Sequence, residues 1–164
     1  MEKRNQLVHI LFVPIILWTS LVWISTPHFG QVDVLGLKIG LNASLLVTLI
    51  YSLFYISLEP FAGVTWTVLF LPAWFFANHF RANFENAIFY SILVHVIAWI
   101  AQFAAHGLIE KRAPALLDSL LQALLLAPLF VWLEVLFMFG YRKKLKEDLQ
   151  KVFIIFSTPK KQSC

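Results

Sequence analysis

The chain has 164 residues, 60% of them hydrophobic and only 13% charged, with Phe at 16 positions and Trp at 6. A soluble globular domain carries about a quarter charged residues and somewhat under half apolar ones, so this composition excludes an ordinary soluble fold and points to a single-domain integral membrane protein. The net charge of +4 sits mostly in the flanks and the tail, where membrane headgroups account for it better than a nucleic-acid partner does.

Spanning the hydrocarbon takes about 20 apolar residues in a helix. The first run, Gln6–Ser25, follows Lys3 and Arg4. It is longer than a signal-peptide core and no small-residue cleavage site closes it, so a retained spanning helix is expected. Asn5 and His9 stand at i and i+4 within it, on one face just before Val13 and Pro14. A histidine so near the end of a span is an interfacial anchor or half of a site, depending on what it meets. The stretch from Thr26 to Gly40, with Pro27 and three glycines, reads as a loop.

Leu41–Leu58 is the second expected span and Gly63–Phe80 the third, joined only by Glu59, Pro60, Phe61 and Ala62 as a tight antiparallel pair. Ser44, Thr48, Tyr51 and Tyr55 form a polar stripe along the second. Packing is the default for such hydroxyls, and an entry path for a lipid head is the alternative. His28 in the loop and His79 at a helix end read as surface or interfacial groups.

Ala87–Ile109 is the fourth span. His95, Trp99, Gln102 and His106 recur at i, i+4, i+7 and i+11, within one sector of a helix at about 100° per residue. Glu110 continues that side, followed by Lys111 and Arg112 and a restart after Pro114. Ionisable groups are expensive in an apolar segment, so the cluster marks either a headgroup-facing helix end or a ligand and proton-transfer face. His95, in mid-segment, reads as a satisfied bundle histidine.

The fifth run, Leu117–Gly140, carries Pro128 in its middle with Asp118, Gln122 and Glu134 along it. Five crossings would send the basic tail to the face opposite Lys3 and Arg4, against the positive-inside rule. A re-entrant fifth segment broken at Pro128 removes the conflict. The tail from Tyr141 to Gln150 reads as a charged helix, solvated or lying on the lipid surface. The expected fold is therefore all-α, a polytopic membrane helical bundle of four to five transmembrane segments. Residues 1–140 form one membrane-embedded domain and 141–164 a basic cytosolic tail.

Cys164 is the only cysteine, so no disulfide framework or Cys-based metal site is available, and it is not placed for prenylation. No HExxH, nucleophile elbow, phosphate loop or dinucleotide fingerprint occurs. What remains is imidazole with carboxylate, a donor set that suits iron or zinc.

Two stretches carry a resemblance. NQLVHILFVP, Asn5 to Pro14, resembles an N-x-x-x-H-x-x-x-V-P motif. WIAQFAAHGLIEKRAPALLDSLLQALLLAPLFVWLEVLF, Trp99 to Phe137, resembles a long W-x-x-Q-F-x-G-H-x-x-x-E-K-R-x-P-A-L signature with a later A-P-x-F and Glu. Both belong to the endoplasmic-reticulum 2-hydroxy fatty acid dioxygenases of yeast and its relatives, and the match runs over nearly the whole chain.

The resemblance implies a multi-pass oxidoreductase of the endoplasmic-reticulum membrane that uses ferrous iron, Fe(II), and O2. It would shorten a 2-hydroxy long-chain fatty acid by one carbon with release of CO2, in the α-oxidation that follows phytosphingosine breakdown. It places the metal on His9 and His106, and Gln102 and Glu110 match motif positions proposed as catalytic. Lys111 and Arg112 would meet the substrate carboxylate, with headgroup anchoring as the alternative.

This chain has Ala105 where the family has Gly. The family also carries two histidines four and five residues before the motif asparagine; Met1 occupies one position and the other precedes the chain. An N-terminally shortened form is the expectation, with a site rebuilt on His95 or an inactive form as alternatives. A non-catalytic membrane scaffold or lipid-binding protein keeping the family fold is the competing function, and a small transporter, without an internal repeat, is a weaker one. Oligomeric state is left open.

Overall fold

The computed structural model describes residues 3–26, 28–34, 37–105, 107 and 120–157. They form α1 (Lys3–Trp23), β1 (His28–Val34), β2 (Leu37–Asn42), α2 (Ala43–Leu58), α3 (Pro60–Asn83), α4 (Ala87–Ala104), α5 (Leu120–Met138) and α6 (Lys143–Ser157). Among these residues, Asn5–Trp23, Pro60–Asn83 and Ala87–Ala104 are long and apolar enough to cross a membrane, while Ala43–Leu58 and Leu124–Met138 are shorter apolar helices. Large apolar side chains such as Leu53, Val68, Phe76 and Ile100 point outward. A lipid-facing bundle does this, whereas a soluble one rarely exposes so continuous an apolar surface.

The expected helices appear, with shifted ends. Glu59 alone separates α2 from α3. It caps α3 by accepting the Ala62 N–H, with Pro60 at the first helical position, where a missing N–H costs nothing. Gly63 lies under this turn, against the backbone of Tyr55 and Ile56. Asn42 caps α2 in the same manner through the Leu45 N–H.

The loop expected over Thr26–Gly40 is instead a two-stranded antiparallel hairpin, so the fold is helical with a small sheet rather than all-α. Val34 pairs with Leu37, Asp33 with Lys38 and Val32 with Ile39, and an irregularity lies between His28 and Gly30. The alternating VDV and LKI around Leu35–Gly36 are a hairpin pattern in themselves, and the glycine count concealed it.

Helix α1 packs against α4, α3 and α5, and α2 against α3. The core holds Leu21, Val22, Trp66, Phe70 and Leu133 around Tyr55. Tyr55 meets Trp66 edge-on at 4.8 Å between ring centroids, and Trp66 stacks on Phe70 at 4.3 Å.

The polar stripe of α2 is a packing device. Ser44 accepts the Trp74 indole N–H and donates to Asn42, and Thr48 and Ser52 donate to carbonyls one turn back. Tyr51 and Tyr55 serve α5. Pro128 has no N–H to give the carbonyl four residues back, which is that of Leu124, and its ring crowds that turn. Tyr51 Oη donates to the Leu124 oxygen at 3.3 Å and Tyr55 Oη to the Leu125 oxygen at 2.7 Å. Tyr55→Phe is expected to cost about 1–3 kcal/mol by stranding a buried carbonyl. Tyr51→Phe, at the longer and more exposed bond, should cost less. Thermal unfolding of the two variants in one detergent checks the order.

Helix α5 ends in a Schellman motif, with Gly140 at φ +84 and the Tyr141 N–H on the Leu136 carbonyl. Beyond it, Tyr141 Oη and Arg142 Nη1 both donate to Glu59 Oε1 at 2.9 Å. The end of α5 and the start of α6 therefore lie at the α2–α3 turn, on the face where α1 begins. The five-crossing arrangement with the tail on the opposite face is not the one seen. The path from α4 to α5 runs through 106 and 108–119, outside the described residues.

Burial alone would raise the Glu59 carboxyl. The hydrogen bonds from Ala62, Tyr141 and Arg142, with the Arg142 charge, outweigh it and hold the group below its ordinary value of 4.5. A lowered folded-state value means stability that is full above the unfolded value and lost as pH falls through the folded one. Arg142 is half exposed, so Glu59→Gln is expected to cost only about 1–2 kcal/mol at neutral pH. The difference from wild type should close as pH drops below 4.5. Chemical unfolding of both proteins at several pH values measures it.

Candidate functional site

Two side-chain bonds set the register of α1 against α4. Thr19 Oγ1 meets His95 Nδ1 at 2.8 Å, and the Trp23 indole N–H donates to Ser91 Oγ at 2.7 Å. The helices are antiparallel, and continuing this register sets Gln102 level with Phe12 and Ala105 level with His9. The amide and imidazole end of α1 thus faces the end of α4.

His95 is fully engaged. Trp99 donates its indole N–H to His95 Nε2 at 2.8 Å, so Nδ1 carries the proton and donates it to Thr19, whose own hydroxyl donates to the Ile16 carbonyl. The Trp23 ring packs on the imidazole with centroids 4.3 Å apart. With both nitrogens used in mid-bundle, His95 is a structural histidine, and a metal site rebuilt on it does not fit.

At the other end of the helix pair two buried amides lack partners among the described residues. Asn5 is 0% exposed, and neither its Nδ2 nor its Oδ1 has a partner among the described residues. Gln102 is 4% exposed and its Oε1 also lacks one. Buried amides without partners are rare because each costs about 1–3 kcal/mol, so each of these two is a candidate contact for a bound group. His9, half-buried, donates from Nδ1 to the Asn5 carbonyl at 2.9 Å, which sets its tautomer. Helix α4 widens here into a π-type turn, seen at Ala105 and Gly107, and the Ala105 N–H is shared between the Ala101 and Gln102 carbonyls. Such widened turns gather at functional sites. The helix expected to reach Ile109 therefore ends its regular turns at Ala104.

His9 and Gln102 are thus placed at one end of the α1–α4 contact. His106, Glu110, Lys111 and Arg112 lie outside the described residues. Among the described residues no three His, Cys, Asp or Glu side chains converge. In the sequence Asn5 stands out as the i−4 neighbour of His9 and as the asparagine of the N-x-x-x-H motif. Its complete burial without a partner is what brings it into the site, and no pattern in the sequence signals that.

A helical, lipid-embedded protein with imidazole and orphaned amides collected at one membrane face is the class that these features define. The chain belongs to the family described as 2-hydroxy-palmitic acid dioxygenase Mpo1-like, whose model matches residues 1–139. It is 35% identical over 151 residues to 2-hydroxy-palmitic acid dioxygenase MPO1 of Saccharomyces cerevisiae, covering 91% of this chain and 80% of the yeast protein. No solved structure matches the chain. The family places it among membrane oxidoreductases of the dioxygenase type, and the apolar helices agree with a lipid substrate.

Proposed function

We propose that the protein is an Fe(II)-dependent dioxygenase that shortens 2-hydroxy long-chain fatty acids by one carbon. The 2-hydroxy acid and O2 give the acid one carbon shorter, CO2 and water, and the acid supplies both the carbon lost and the electrons that reduce O2. The observation that carries this reading is the pair of buried, partnerless amides beside His9 in a member of this family. Imidazole nitrogen and amide oxygen are donors that ferrous iron and its surrounding shell accept. In this reading His9 and His106 would hold the iron, and the chemistry it would supply there is the activation of O2.

The chain's own residues do the rest. Asn5 fixes the His9 tautomer through its carbonyl and offers its buried amide to the bound species. Gln102 orients the substrate's polar end from α4, Glu110 moves a proton there, and Lys111 with Arg112 bind the carboxylate. The face shared by the starts of α1 and α6 is cytosolic, and the membrane is that of the endoplasmic reticulum, where 2-hydroxy acids arise from sphingoid-base breakdown.

Purified protein given Fe(II), O2 and a 2-hydroxy long-chain fatty acid is expected to release the acid one carbon shorter, detected by mass spectrometry. Absence of both product and bound iron would leave a non-catalytic lipid-binding role. Asn5→Leu keeps the branched shape, with a somewhat larger volume, and removes the polar atoms. If Asn5 is purely structural, this substitution should stabilise the fold and leave turnover alone. The expected result is about a tenfold or greater loss of turnover with stability kept or raised.

A further inference from the structure

Between α1, α3 and α5 lies a half-open cavity of about 480 Å³, with Leu69 exposed in its wall. Its walls include Val13, Leu69, Phe70, Ala73, Val131 and Val135, and it carries no ionisable side chain. Pro14 of α1 and Pro128 of α5 both line it, and a proline ring inside a helix crowds the turn before it. From Ile10 to Trp18 it follows α1 for about 12 Å, at 1.5 Å per residue.

One end adjoins the candidate site. His9 precedes Val13 by one helical turn, Gln6 precedes Ile10 by one turn, and each pair shares a side of α1. Across from them Glu134 stands next to Val135, facing Gln6, with its Oε2 buried and without a partner among the described residues. The other end is lined by Trp18 and Pro128. A long apolar slot with a polar mouth suits a molecule that has one polar end and one hydrocarbon tail. A methylene fills about the room that water takes in the liquid, ~30 Å³, so the volume holds on the order of 15 carbons.

We infer that this cavity receives the hydrocarbon tail of the fatty-acid substrate, with the head at the His9, Gln6 and Glu134 end and the Trp18 end limiting chain length. The inference rests on the fatty-acid reading above, and its test is separable from it.

A 2-hydroxy fatty acid bearing a diazirine near its tail is photolysed with the purified protein in nanodiscs, and the labelled residues are mapped by mass spectrometry. Label is expected on the buried Phe70 or Val131, competed away by unlabelled 2-hydroxy fatty acid. Ala73→Phe, which fills the slot from α3, should cut that labelling at least fivefold and shift the preferred acid to a shorter chain. Phe75→Leu, on the exposed face of α3, should change neither. Label confined to lipid-facing residues such as Phe75 or Ile97, or labelling of the slot that Ala73→Phe leaves intact, overturns the inference. Specific labelling in the slot without any shortened product would leave the tail site standing and sink the dioxygenase reading. Product formation with label only on lipid-facing residues would do the reverse.

Discussion

His9→Ala is expected to strip ferrous iron from the purified protein and to lower turnover of a 2-hydroxy fatty acid at least about 100-fold. The imidazole is oriented by its bond from Nδ1 to the Asn5 carbonyl, and the substitution removes the whole ring, Nε2 included. Loss of a group that merely orients a metal ligand costs about 10–100-fold, and loss of a ligand itself should exceed that. The informative control is His95→Ala. Its two ring bonds go to Trp99 and Thr19, so the cost should fall on stability, at about 1–3 kcal/mol, with iron content retained. Metal analysis of the two variants separates the roles. Full iron occupancy in His9→Ala would falsify the assignment of His9 to the metal.

Gly63→Ala is expected to be the most destabilising single-methyl change in the bundle, at about 3 kcal/mol or more. A Cβ at Gly63 would stand 2.5 Å from Ile56 Cα and also overlap Ile56 N and Tyr55 C, all backbone atoms that cannot swing aside. Alanine recovers about 1 kcal/mol of helix propensity over glycine, so the measured loss is net of that gain. Close approach of this kind, with small residues at a helix crossing, is how membrane helices pack when no water drives them together. The shift would also carry Tyr55 away from the Leu125 carbonyl, so the loss spreads to α5. Thermal unfolding in detergent should show a midpoint lowered by about 10 °C. A midpoint within a degree or two of wild type would mean that α2 and α3 separate at little cost.

Much of the fold could be read from the residues because a membrane imposes a simple rule. Continuous apolar runs of the required length must be helices, and α1 to α5 follow from that. The hairpin was missed because Gly30, Gly36 and Gly40 outweighed the alternation of Val32, Val34, Leu37 and Ile39. Topology was open at α5 until the bonds from Tyr141 and Arg142 to Glu59 placed its end. Long-range partners of this kind leave no periodic trace.

The same holds within the site. Helical spacing put Gln102 on one side with His95 and Trp99, and His95 lies where its neighbours satisfy both its nitrogens. Spacing could not separate a satisfied side chain from an orphaned one. Asn5 and Gln102 differ from Asn42 and Ser44, which are also buried and polar, only in what stands opposite them. That difference belongs to packing between helices distant in sequence.

The two tyrosine latches on α5 bear on how the protein is made. A helix carrying a carbonyl that Pro128 has left unmatched, that of Leu124, enters hydrocarbon by itself at a cost. Tyr51 supplies a donor to that carbonyl and Tyr55 one to its neighbour at Leu125, and α2 leaves the ribosome some seventy residues before the carbonyls it serves. The order of synthesis thus presents a finished α2–α3 pair as a template, and α5 gains these donors by docking on it. Membrane insertion of the last apolar segment is then a folding event rather than a partitioning event, with the earlier hairpin of helices acting as its chaperone in cis.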